Sequence, residues 1–177
     1  MRYSEKEFER LMQGRPGDST NADEPLHRAF DSALAIDPGT TTGLAFTDGS
    51  VRLAYTTHFW ALIDALREKQ LPPSNFLPRP CSPENTVVIL EAPHLSAPGM
   101  RGGNTGQAYS TGRVSRESEL LLDGMDRIGF QVVEVDPATN SGKWDRSTAE
   151  RIIGGWSGQN NEHTRDALRL LFAYSFL

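Results

Sequence analysis

Apolar positions along the chain change their period in a definite order. Over residues 4–13 they fall at helical spacing, with Phe8, Leu11 and Met12 at i, i+3 and i+4, which predicts a short amphipathic helix. The stretch GRPGDSTNADEP that follows is built of loop-forming residues. From residue 33 the pattern shortens. ALAID (33–37) is an apolar run ending on an acid, followed by PGTTTG and then LAFT (44–47). Asp48-Gly49 separates LAFT from VRLAYTTHF, a hairpin signal. Residues 60–69 read as a helix and LPPSNFLPRPCSPEN as a proline-rich loop. TVVILE (86–91) is a β-branched run of the kind buried on both faces, and it too ends on an acid. A glycine-rich loop is expected over 92–112, a helix over 114–128 centred on Leu120, Leu121 and Leu122, and a strand over FQVVEV (130–135). A shorter helix is expected to start near Ser147, and a last one to run from about Glu162 to Tyr174.

The order is therefore β-β-β-α-β-α-β-α-α. Three consecutive strands form a meander. The strand–helix–strand units that follow add parallel strands through right-handed crossovers. The expected architecture is α/β: a mixed five-stranded sheet flanked by helices. Residues 1–32 are read as an N-terminal helix and linker extension, and 33–177 as the main domain. No internal repeat is found.

Composition narrows the class. A chain of 177 residues suits one domain and buries a core without disulfides. Its single cysteine, Cys81, has no partner at zinc-site spacing, so a reducing compartment is the natural reading. No apolar run approaches the ~20 residues of a membrane span, and the polar, acidic start MRYSEKEFER is unlike a signal peptide. A soluble, cytoplasmic protein is expected. The net charge of -5 runs against a nucleic-acid binder, although bound divalent cations reverse the local charge of metal-binding carboxylates.

Three places carry candidate chemistry. In IDPGTTTG, Asp37 ends the first strand, and Gly39 and Gly43 are expected to permit a tight return of the chain. Ligands in open α/β sheets bind at the carboxyl ends of strands. In VVILEAPH, Glu91 ends a strand that is otherwise apolar. If the two strands are adjacent and parallel, Asp37 and Glu91 lie side by side, and a divalent cation removes their repulsion. In NEHTRDALRLLFAY, His163 and Asp166 are three apart on one helical face, above a stripe of Leu168, Leu171 and Phe172, with Asn160 or Asn161 as N-cap. Singly, each has an ordinary alternative: a turn aspartate, a salt-bridged or capping glutamate, an exposed polar first turn.

In this order the three segments resemble those of the RuvC-type Holliday junction resolvases, members of the RNase H-like superfamily. IDPGTTTG resembles the opening motif of that family and HTRDAL its closing one. The resemblance runs from about residue 33 to 175, and it makes 33–177 an RNase H-like nuclease domain. It implies a metal-dependent endonuclease that cuts four-way DNA junctions. Two Mg²⁺ ions ~4 Å apart would clamp the scissile phosphate, with Mn²⁺ also accepted. Asp37 would bridge both ions, Glu91 would hold one and Asp166 the other. His163 would ligate metal or orient the water.

The same resemblance makes Lys143, in PATNSGKW, a candidate phosphate contact. Arg101, Arg113 and Arg116 are candidates for the DNA backbone, and Tyr109 for stacking on an unpaired base. Symmetric resolution implies a homodimer, with 114–128 as the interface. Another RNase H-like nuclease acting on RNA or RNA–DNA hybrid, and a non-catalytic nucleic-acid-binding module, are the alternatives. DPGTTTG also resembles the first phosphate loop of actin-like ATPases and sugar kinases, but the second glycine-rich phosphate motif of that class is absent.

Overall fold

In the antiparallel part of one sheet the two faces carry side chains of different size, alanines on one and larger residues on the other. The computed structural model of the chain describes residues 2–3, 30–50, 52–68, 81–95, 105–137 and 142–173. Its strands are β1 (Arg2–Tyr3), β2 (Ser32–Asp37), β3 (Thr41–Thr47), β4 (Arg52–His58), β5 (Thr86–Glu91), β6 (Gln131–Val135) and β7 (Ser157–Gly158). Its helices are α1 (Phe59–Arg67), α2 (Thr105–Ile128), α3 (Arg146–Ile153) and α4 (Glu162–Ala173), with a 3₁₀ turn at Pro93–Leu95. The sheet runs β1-β6-β5-β2-β3-β4-β7. Strands β2, β3 and β4 form the antiparallel meander. Strand β5 lies parallel to β2, and β6 parallel to β5. This is the mixed α/β sheet flanked by helices that the element order implies. The two-residue strands β1 and β7, too short to leave a periodic signal, extend it at either edge.

Side-chain alternation along a strand sorts residues between the faces. Leu34, Ile36, Val88 and Leu90 point to one face, where they pack with Leu62 and Leu66 of α1 and Leu121 and Met125 of α2. Ala33, Ala35, Val87 and Ile89 point to the other, together with Ala45 and Ala54, and meet Ile153 of α3 and Ala167, Leu168 and Leu171 of α4. Helix α4 therefore rests on a floor of alanines across β2, β3 and β4. The hairpin signal at Asp48-Gly49 is confirmed: Gly49 has φ +82°, and Asp48 Oδ1 accepts from the Ser50 amide at 3.0 Å.

Two expectations need correction. The loop read over 92–112 is helical from Thr105 onward, so α2 begins nine residues before the expected position 114. Gly106, Gly112, Ser110 and Thr111 are weak helix formers, which is why the sequence pattern hides these first turns. Neither Gly39 nor Gly43 has a positive φ, so the return after Asp37 does not use glycine's left-handed conformation; Thr42 Oγ1 instead donates to the Gly39 carbonyl at 2.7 Å. The helix expected over 4–13 lies outside the described residues. Among the described residues no helix is long and apolar enough to cross a membrane.

Cys81 packs beside the core on the α1/α2 face, and burial pushes its thiol up to about 12. Only the thiolate is a good nucleophile. The native protein at about pH 8 is expected to react with Ellman's reagent at least about tenfold more slowly than the urea-unfolded chain. Equal rates would show that the thiol is solvated.

Candidate active site

Strand register places the two acids that end apolar runs. Ile36 pairs with Leu90 across the parallel β2–β5 ladder, so Asp37 and Glu91 are the next residues along both strands. Asp37 also pairs with Gly43 of β3, which pairs in turn with Thr56 of β4. Glu91, Asp37, Gly43 and Thr56 thus form one row across the carboxyl end of β2 and β5. By alternation that row faces the same side as Ala35, Ala45 and Ala54, the side covered by α4.

The first turn of α4 comes down onto this row. Asn161 caps the helix: its Oδ1 accepts from the Thr164 amide at 3.1 Å, and Thr164 Oγ1 accepts from the Asn161 amide at 2.9 Å. Of the two candidate caps, Asn161 is the one used. Gly43 makes the approach possible, because a Cβ at that position would overlap the backbone carbonyl of His163. The glycine is required for close packing of helix on strand, a reason that a reading of the turn alone misses. His163 Nδ1 then lies 3.3 Å from Asp37 Oδ2. Asp37, His163 and Asp166 line one cleft of about 420 Å³, together with Pro38, Thr40 and Thr41.

The charges in this cleft are in tension. The hydrogen bond with Asp37 raises the His163 pKa above 6.5, against the opposing effect of burial. Burial first, and then the nearby Asp37 charge, raise the Asp166 pKa above 3.8, while Arg169 and Lys143 pull it back down.

Among the expected nucleic-acid contacts, Lys143 and Arg113 line the cleft. Lys143 Nζ is 3.5 Å from Glu162 Oε2, with both side chains largely exposed. Such a pair is worth less than about 1 kcal/mol and yields readily to a phosphate. Arg113 lies 3.7 Å from Glu117, and Arg116, one turn further along α2, is 2.8 Å from Glu119. Arg101 is outside the described residues, and Tyr109 falls within α2. Glu91 is not among the residues that line the cleft, although it stands next to Asp37 in the row.

Two residues of the site went unnoticed in the sequence. Glu162 lines the cleft and lies four residues before Asp166, on the same helical face, a spacing that could have revealed it. Arg165 donates from Nε to the Trp144 carbonyl at 2.9 Å, and the Trp144 ring packs edge-on against Phe172 at 5.5 Å. Together these tie the segment carrying Lys143 to α4. No sequence period signals that contact.

Among the described residues, no three histidine, cysteine, aspartate or glutamate side chains converge closely enough to hold a metal ion. The donor chemistry nevertheless fits a hard divalent cation. Two carboxylates share the cleft, the charge of one raises the pKa of the other, and the ring nitrogen facing Asp37 is itself a metal-ligating atom.

No family model matches the chain, and no curated protein matches it. Among solved structures the chain is similar to T. thermophilus RuvC in complex with Holliday junction substrate. The two are 15% identical over 81% of this chain and 92% of that one, with a TM-score of 0.46.

Gly43→Ala is expected to cost about 2 kcal/mol or more, through the overlap with His163, measured as a lower urea midpoint; an unchanged midpoint would show that α4 can lift away freely. The raised pKa values give a second expectation. A raised His163 pKa contributes stability that is full below the unfolded value of 6.5 and is lost as pH rises through the folded one. Asp166, also raised, acts with the same sign at lower pH, its contribution fading as pH climbs above 3.8 through its folded value. In chelator, the stability difference between wild type and His163→Gln should therefore be larger at pH 5.5 than at about pH 8.5. The opposite trend would refute the His163–Asp37 pairing.

Proposed function

We propose that the chain is a divalent-metal-dependent endonuclease of the RNase H-like type that hydrolyses phosphodiester bonds in branched DNA. The observation that carries this reading is the make-up of one cleft, which Asp37, Asp166 and His163 line together with Lys143 and Arg113. Glu91 stands beside Asp37 in the same row. Asp37, Glu91 and Asp166 offer the hard oxygens that hold Mg²⁺ or Mn²⁺. Bound there, two such ions would acidify the attacking water and stabilise the departing 3′-oxygen. His163 would leave Asp37 and either join the ligands or orient the water. Lys143, released from Glu162, and Arg113, drawn off Glu117, would hold the phosphate backbone, fixing position without reading sequence.

Branched DNA as the substrate follows the resemblance of IDPGTTTG and HTRDAL to the junction resolvases. The homodimer it implies would use α2. There a groove of about 440 Å³ between α1 and α2 is lined by Trp60, Ile63, Leu120 and Ile128, and Trp60 is 64% exposed.

The test is a cleavage panel with labelled four-way junction, duplex, single-stranded DNA and RNA–DNA hybrid, each with Mg²⁺ and with Mn²⁺. Paired symmetric nicks confined to the junction are expected. Asp37→Asn should abolish them while keeping the wild-type circular dichroism spectrum. Full activity from Asp37→Asn would overturn the assignment, and cleavage of the hybrid alone would move the substrate to RNA.

A further inference from the structure

One turn beyond Asp166 on α4, Arg169 carries a guanidinium that is only 13% exposed. Its Nη2 lies 3.8 Å from Asp166 Oδ1. Its Nε and Nη1 are buried and have no hydrogen-bond partner among the described residues. A guanidinium presents five N–H donors in a fixed fork. Burying it with donors unmet is costly, and the single carboxylate contact is longer than the about 2.7–2.9 Å of a strong charge-assisted hydrogen bond. As a stabilising device the arrangement is poor, since a well-packed apolar side chain of similar volume does as well or better.

The charge distribution around the cleft gives the arrangement a purpose. Asp37 and Asp166 share the cleft, where the Asp37 charge acts on Asp166, and Glu91 stands beside Asp37 in its row. The cations at the margin, Lys143 and Arg113, are exposed, and each is already opposite a glutamate. Arg169 is not among the residues that line the cleft. It is a cation fixed behind Asp166, in a place where solvent and salt screen it little.

We infer that Arg169 is a positioning residue, which holds one carboxylate oxygen of Asp166 from behind and so presents Asp166 to a divalent cation in the cleft. This rests on the reading of the cleft as a metal-dependent nuclease site. It belongs to this chain's own helix and makes no use of the substrate's shape.

The full-length chain with Arg169→Met, Arg169→Lys and Asp166→Asn is compared with wild type in three measurements: urea midpoint in chelator, Mn²⁺ affinity by calorimetry, and single-turnover cleavage of the four-way junction. Arg169→Met is expected to keep or raise the midpoint. It is expected to weaken Mn²⁺ binding about tenfold or more and to slow cleavage at saturating Mn²⁺, with the half-saturating DNA concentration little changed. Arg169→Lys should recover part of the Mn²⁺ affinity. A lower midpoint for Arg169→Met with wild-type Mn²⁺ affinity and rate would make Arg169 a structural ion pair and overturn the inference. Should Arg169→Met fail to fold, Arg169→Lys decides: weakened Mn²⁺ binding at an unchanged midpoint supports the role, and wild-type Mn²⁺ binding overturns it. Failure of wild type itself to bind Mn²⁺ or cut any substrate overturns the nuclease reading, and the role of Arg169 with it. That outcome is visible in the wild-type and Asp166→Asn samples alone.

Discussion

The backbone of α4 comes against the backbone of β3, at His163 and Gly43, where the part of the sheet formed by β2, β3 and β4 presents Ala35, Ala45 and Ala54 to the helix. Ala35, Ala45 and Ala54 lie side by side across β2, β3 and β4, and Gly43 continues the small surface one row higher. Larger residues there would hold the helix off by several ångströms. His163 would then lose Asp37, and the cleft would open into a flat surface. The other face shows the contrast. Leu34, Ile36, Val88 and Leu90 keep α1 and α2 at the distance that large side chains require. Site and core are consequences of one choice of side-chain volume.

That closeness creates the electrostatic tension of the site. Two carboxylates are drawn together, partly out of water, and the field of one makes the other harder to ionise. An imidazole lies against Asp37, and a guanidinium is held behind Asp166. None of these contacts is a sound stabilising device by itself, since partial burial of charge costs much of what pairing returns. The molecule carries them on a scaffold whose cohesion comes from elsewhere, from the apolar layers on both faces of the sheet.

Much of this was legible in the sequence. The strand ending on Asp37, the strand ending on Glu91, and the helix opening with His163 and Asp166 were each marked by period and by a terminal polar residue, and TVVILE was placed to the residue. The meander announced itself through Asp48-Gly49. What escaped was information that resides in contacts between distant segments. Gly43 looked like a turn glycine because its neighbour in space, His163, is far off in sequence. The first turns of α2 were hidden by residues that alone disfavour a helix. The contacts of Arg165 with the Trp144 carbonyl and of Glu162 with Lys143 join segments that no local pattern links. Strands β1 and β7, two residues each, are stabilised by the sheet they join and by no preference of their own.

The contact between Asp37 and His163 spans 126 residues of sequence. Local structure can form early, since the β3–β4 hairpin and the helices need only near neighbours. The cleft cannot. It requires β5 to cross over and pair with β2, and then α4 to settle on the alanine floor. A chain emerging from the ribosome would display Asp37 long before it could assemble the cleft around it. The cleft is thus withheld from the nascent polypeptide and comes into being only after residues 162–173 have been synthesised and packed, which ties whatever the cleft binds to completion of the fold.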